Sequence, residues 1–171
     1  AVLGLVGGGR IGLATARKFR ALGFARVLVH DPFLDADTAR NAHVEPVEMD
    51  ELCAQSDVIS LHAPLTDQTR HILNAERLAR MRTDAIVINV ARGGLVDETA
   101  LAAALVEGRI FGAGIDVFET EPVARDNPLL TAPNTLLTDH TAWYSERSVA
   151  QLQKKAAQEF ARFLSGEPPF N

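Results

Sequence analysis

The chain has 171 residues, 47% hydrophobic and 23% charged, which is enough to bury a core and too apolar for a disordered or collagen-like polymer. Its 17 Lys+Arg against 22 Asp+Glu leave a formal net charge of -5 with no basic cluster, so no nucleic-acid partner is expected. A lone cysteine, Cys53, excludes an internal disulfide, has no Cys/His cluster around it for a metal, and suits a reducing, cytoplasmic compartment; no apolar run approaches the ~20 residues of a membrane helix, so no membrane role is expected.

Residues 1–6 (AVLGLV) are a short continuous apolar run closed by Gly7-Gly8-Gly9, the pattern of a strand buried on both faces of a parallel sheet. The run starts at the first residue, and the expectation is that an N-terminal part of a larger protein precedes it. Next, Ile11, Ala14, Phe19 and Leu22 share a helical face, with Gly23 at the C-cap position. Residues 26–30 predict a second strand ending in Asp31-Pro32, 47–55 a short helix and 57–61 a third strand. Another buried strand follows at 85–89, then a helix over 98–107 with Asp97 as N-cap and Gly108 past its end. Strands at 111–117 and 135–138 come last. Over 145–164, Val149, Leu152, Ala156, Phe160 and Phe163 make an apolar stripe on a long closing helix, and 166–171 reads as a tail. Alternating strands and helices require parallel strands joined by right-handed crossovers, so the fold class is an α/β doubly wound parallel sheet in one undivided domain, 1–171.

Gly7-x-Gly9-x-x-Gly12 falls between a strand and a helix, where bare backbone and the unpaired N–H groups of a helix N-terminus can meet a pyrophosphate. Asp31 ends the second strand 19 residues after Gly12, placed to accept hydrogen bonds from both ribose hydroxyls and to repel a 2'-phosphate. The expected cofactor is therefore NAD, not NADP.

Five segments closely resemble the D-isomer-specific 2-hydroxyacid dehydrogenases: LVGGGRIG (5–12), DVISLHAPLTDQTRHILN (57–74), IVINVARGGLVD (86–97), GIDVFETEP (114–122) and DHTAWYSE (139–146). The last is similar to the ending of that family's C-terminal binding protein branch. The resemblance runs from residue 1 to about 169 and implies a Rossmann-like NAD-binding domain acting with a 2-hydroxy/2-keto acid substrate. It implies that Arg92 binds the substrate carboxylate and carbonyl oxygen, and that Glu121 hydrogen-bonds the catalytic histidine. It makes His140 the general acid in reduction and the general base in oxidation. Asp116 matches the aspartate beside the nicotinamide carboxamide. Gly7, Gly9, Arg10, Ile11, Gly12, Asp31, His62, Ala63, Pro64, Val90, Ala91 and Arg92 match cofactor-contacting positions, with His140 and Trp143 at the nicotinamide end. The resemblance also implies a homodimer formed through this domain and a substrate-binding domain outside this chain, without which turnover is expected to be slight. A second function stays open, an NAD(H)-sensing interaction protein of the C-terminal binding protein type.

The chemistry agrees with these roles. Hydride transfer to a carbonyl builds negative charge on oxygen, which requires a proton donor near operating pH and a fixed cation. A guanidinium grips a carboxylate through two parallel N–H bonds and so orients the keto acid. Among the remaining residues, Glu119 is the nearest rival to Glu121, and His62 is expected to touch cofactor without catalysing. His43 and His71 read as solvent-facing or capping groups, His30 as closing a strand, and Cys53 as core filler. Trp143 has two readings, a wall of the substrate pocket or an ordinary core aromatic. The interval from Gly12 to Asp31 is one residue longer than the family's usual spacing, through an extra residue near Ala25 that a loop can absorb.

Overall fold

In the computed structural model, which describes residues 1–169, the strands are β1 (Val2–Val6), β2 (Arg26–His30), β3 (Glu45–Pro46), β4 (Val58–Leu61), β5 (Ile86–Asn89), β6 (Gly112–Ile115) and β7 (Thr135–Leu137). They form one seven-stranded sheet in the order β3-β2-β1-β4-β5-β6-β7, and each neighbouring pair is parallel. The helices are α1 (Arg10–Ala21), α2 (Ala36–Ala42), α3 (Met49–Gln55), α4 (Ala75–Arg80), α5 (Glu98–Val106) and α6 (Glu146–Leu164). Two compact units are present, Ala1–Asp139 with the sheet and His140–Asn171 with α6.

Side-chain alternation along the strands divides the core of the first unit. Leu3 and Leu5 of β1 with Val27 and Val29 of β2 face Ala16 of α1 and Ala39 of α2. On the other face Val6, Ile59, Leu61 and Val87 pack with Leu52 of α3, Leu78 of α4 and Leu101 of α5. Each fully buried leucine or isoleucine contributes about 1.5–3 kcal/mol relative to exposure, and these two layers dominate the stability of the unit. Beyond β1, the first face carries Ile86, Ile88, Gly112, Gly114 and Leu136 along an apolar cavity of about 390 Å³, with Leu136 72% exposed.

The predicted strands all form, α1 and α6 lie where their apolar faces placed them, and α3 and α5 lie within the predicted spans 47–55 and 98–107. Asp97 caps α5 by accepting from the Ala100 N–H at 2.9 Å, and Gly23 and Gly108 hold positive φ just past their helices. The strand predicted over 111–117 stops at Ile115, and the short helix begins at Met49, after Glu48 as N-cap. Three elements escaped the pattern reading: α2, α4 and the two-residue β3. The first two are started by side-chain caps, Asp35 accepting from Thr38 N–H and Asn74 from Arg77 N–H. They bury one residue each, Ala39 and Leu78, so no apolar period marks them. In the loop between α1 and β2, Phe24 N–H bonds to the Phe19 carbonyl and Ala25 N–H to that of Ala1.

In the second unit, Ser145 and Ser148 form a reciprocal capping box at the start of α6. The apolar stripe is present but α6 buries none of its residues: Leu152, Phe160 and Phe163 are 61%, 65% and 79% exposed. Of the tail read over 166–171, residues 170 and 171 lie outside the described residues. Among the described residues no helix is long and apolar enough to cross a membrane.

Candidate active site

Strand order reverses between β1 and β4, and in sheets of this kind ligands bind outside the carboxyl ends of the strands at that reversal. The glycine turn sits there. Gly7 has φ +101°, a left-handed conformation that side chains resist, and a Cβ on Gly12 would collide with the Gly7 carbonyl. Gly9 differs. It is the N-cap of α1 with no side chain over the first-turn N–H groups, and nothing lies within 4 Å of where its Cβ would be. Two glycines thus close the turn and one leaves it open, presenting bare donors at a helix N-terminus. Arg10 and Ile11 open the helix beside them, both exposed, Ile11 by 68%.

Asp31 follows β2 and braces this turn. Its Oδ2 accepts from the Gly8 N–H at 2.7 Å and its Oδ1 from the Phe33 N–H at 2.9 Å. A cleft of about 560 Å³ opens beside it, lined by Gly7, Asp31, Pro32, Phe33, Ala63 and Pro64. His62 directly follows β4 under the turn, with Nε2 3.0 Å from Ser60 Oγ and its ring held below the ordinary imidazole pKa by burial. Its main chain packs against the glycine turn at Gly7. His30 closes β2, with Nδ1 3.2 Å from the Val47 carbonyl. The uncapped glycine turn, the carboxylate and the cleft fit the diphosphate, ribose and adenine of a dinucleotide.

After β5 the chain turns sharply. The Asn89 side chain, buried to 1% exposure, donates to the Arg92 carbonyl at 2.9 Å and accepts from the Ala91 N–H at 3.1 Å. This clasp leaves Val90 39% exposed and projects Arg92 from a shaped turn, its Nη1 donating to the neighbouring Ala91 carbonyl at 2.6 Å. Asn89 is not among the expected site residues, because residue order does not show that its amide closes the Arg92 turn. Asp116 follows β6, is 4% exposed, and accepts from Thr138 Oγ1 at 2.5 Å.

The segment carrying Glu121 runs against the Arg92 turn. Gly93, in the short 3-10 turn Gly93–Leu95, lies so close under Phe118 and Glu119 that any Cβ would strike their backbone. Glu121 Oε1 accepts from the Phe118 N–H at 3.1 Å, and the peptide before Pro122 is cis. Glu119, the rival carboxylate, is held elsewhere. Its Oε1 accepts from Arg70 Nη2 at 3.0 Å and lies 2.6 Å from His71 Nε2. His71 is therefore a hydrogen-bond partner of Glu119 and not a merely solvent-facing group, while His43 caps α2 in the left-handed conformation.

In the second unit His140 has φ +61°, and the Trp143 indole Nε1 donates to its carbonyl at 2.9 Å. Trp143 packs edge-on to Tyr144, ring centroids 5.7 Å apart, and is 53% exposed, so it is not a core aromatic.

A parallel sheet with an uncapped glycine turn at its reversal point and a carboxylate ending the next strand defines a Rossmann-type dinucleotide-binding domain. Over residues 1–142 the chain matches the D-isomer specific 2-hydroxyacid dehydrogenase NAD binding domain, and it belongs to that family. It is 43% identical over 169 residues to a glyoxylate reductase of Korarchaeum cryptofilum, covering 99% of this chain and 51% of that protein. To a hydroxypyruvate reductase of Blautia hydrogenotrophica it is 42% identical over 166 residues, covering 97% and 51%. Among solved structures, a D-lactate dehydrogenase with NAD+ from Lactobacillus jensenii superposes with a TM-score of 0.87 at 31% identity, covering 98% of this chain and 53% of the other. The chain spans about half the length of these relatives.

Proposed function

We propose that this chain is the cofactor-binding half of an NAD-dependent D-2-hydroxyacid dehydrogenase, cytoplasmic and dimeric through this domain, whose substrate domain is built from residues outside 1–171. The observation that carries the reading is the Asn89-clasped turn, which presents Arg92 at a strand end beside the cofactor edge with no carboxylate partner among the described residues. A shaped cation at such an edge suits a carboxylate ligand.

Gly7, Gly9, Arg10, Ile11 and Gly12 would hold the diphosphate, Asp31 the ribose, and His62, Ala63, Pro64, Val90 and Ala91 the intervening surface. Asp116 orients the carboxamide. Bound NADH supplies a hydride to C2 of the 2-oxo acid. Arg92 holds the substrate carboxylate and fixes which face of C2 is presented. The His140 imidazole delivers a proton to the carbonyl oxygen, and Glu121 holds that imidazole in its acid form and correct tautomer. Trp143 walls the substrate side chain and favours an apolar one. The names of the relatives put small 2-oxo acids first among substrates.

The test is NADH oxidation by the full-length protein with glyoxylate, pyruvate, hydroxypyruvate, 3-phosphohydroxypyruvate and 4-methylthio-2-oxobutyrate. Turnover of at least one is expected, and His140→Gln should lower kcat by ~10²–10⁴-fold with NADH affinity near normal. Silence on all five would overturn the enzyme reading in favour of an NAD(H) sensor.

A further inference from the structure

Glu98 is the first residue of α5, and a carboxylate just inside a helix N-terminus reads as an ordinary surface complement to the helix dipole. Its side chain does something else. It is 8% exposed, and its two oxygens reach across to a different part of the chain. Oε1 accepts from the Glu119 backbone N–H at 2.6 Å, and Oε2 accepts from Asn127 Nδ2 at 2.6 Å. One buried carboxylate thus ties both ends of the segment 119–127, and Glu121 with its cis peptide to Pro122 lies between the two ties.

The same segment touches the Arg92 turn through Gly93, which packs on the backbone of Phe118 and Glu119. Glu98 comes six residues after Arg92 in the same stretch of chain. It therefore bolts the turn carrying the guanidinium to the segment carrying the carboxylate. Asn127 is itself fixed, its Oδ1 accepting from the Leu129 N–H at 3.0 Å, so the second tie ends on an anchored residue.

We infer that Glu98 is a positioning residue for the proposed reaction: by tying Glu119 and Asn127 it sets where Glu121 stands relative to Arg92, and through Glu121 it acts on the proton donor. This rests on the reading of Glu121 as the carboxylate that supports the His140 imidazole. A buried brace with no such role would change stability alone. A positioning residue also moves the pH dependence of turnover, because an imidazole that loses its carboxylate gives up its proton at lower pH.

The discriminating pair is Glu98→Gln and Glu98→Gln combined with Asn127→Asp, in the full-length protein with its most active 2-oxo acid. In the single variant the new amide points a donor at the Asn127 donor and the second tie is lost. The double variant reverses the polarity of that bond and restores it, while the new carboxylate still has an oxygen for Leu129 N–H. Measured together are kcat/KM against pH, NADH affinity, and hydrogen exchange over 118–127. The single variant should lose ~10–100-fold in kcat/KM, move the basic limb of the profile to lower pH, and exchange faster over 118–127, with NADH affinity within about twofold. The double variant should return all three toward wild type. Should the single variant fail to fold, Asn127→Ala removes the same tie and is read in the same way. Faster exchange with an unmoved pH limb, or no recovery in the double variant, would overturn the inference. A wild-type protein silent on every 2-oxo acid would instead overturn the enzyme reading, and the inference with it.

Discussion

Both oxygens of Asp31 already hold main-chain N–H groups, those of Gly8 and Phe33, so this carboxylate shapes the turn that it is expected to help bind ribose. Asp31→Ala should then weaken NADH by ~10–100-fold, since hydrogen bonds to charged groups are each worth about 1.5–3 kcal/mol. NADPH should suffer less, because the repelling charge is also removed. Fluorescence titration with both cofactors checks this, and an unchanged preference would refute the ribose assignment. His62 carries a pH prediction. Burial lowers its pKa from the ordinary 6.5, so the unfolded chain takes up the proton first. Its contribution to stability is complete above pH 6.5 and is lost as pH falls through 6.5 toward the folded-state value. The urea midpoint should drop between about pH 7.5 and 5.5, and His62→Gln should flatten that drop. Cys53 is fully buried in α3, and burial pushes its thiol up to about 12, in keeping with a core filler.

At the scale of elements, backbone contact between the Arg92 turn and the Glu121 segment is as close as glycine permits. Gly93→Ala places a methyl against the Phe118 carbonyl group, and the cost should be about 3 kcal/mol or more, with loss of whatever activity depends on Arg92 and Glu121 together. Denaturant unfolding of wild type and variant measures it, and a change under about 1 kcal/mol would mean that the two segments separate easily. The glycine turn was legible in residue order because GxGxxG between an apolar run and an amphipathic helix is a local pattern. The Gly93 contact was not, since it depends on Phe118, which is 25 positions away along the chain. Helices α2 and α4 were missed for a related reason. Each is short and buries a single residue, so side-chain caps and tertiary contacts hold it, not a periodic apolar face.

At the scale of the whole molecule, the first unit holds two packed core layers and the glycine turn, Asp31 and cleft of the candidate dinucleotide site. Chain 1–171 by itself should therefore bind NADH; on the proposed function it should also elute as a dimer at micromolar concentration and turn over 2-oxo acids negligibly. Calorimetry, size-exclusion chromatography and an absorbance assay test the three expectations. No heat with NADH would contradict the cleft, a monomeric elution would contradict the dimer, and full turnover would contradict the placing of the substrate domain elsewhere.

Fold class, parallel pairing and the choice of NAD could all be read from residue order, because burial on both faces, β-α alternation and the glycine–aspartate spacing are short-range patterns repeated along the chain; the order of the strands in the sheet came only with the structure. The assignments of Arg92, Glu121 and His140 came from extended likeness to a family, since no local rule gives an arginine or a glutamate its role. What folding added lies between segments distant in sequence: Asp31 bracing the glycine turn, Arg70 and His71 engaging Glu119, and Glu98 tying 119 to 127. These are polar contacts made by single side chains. Hydrophobic periodicity records which face of an element is buried, and it carries no information about which buried carboxylate will meet which distant N–H.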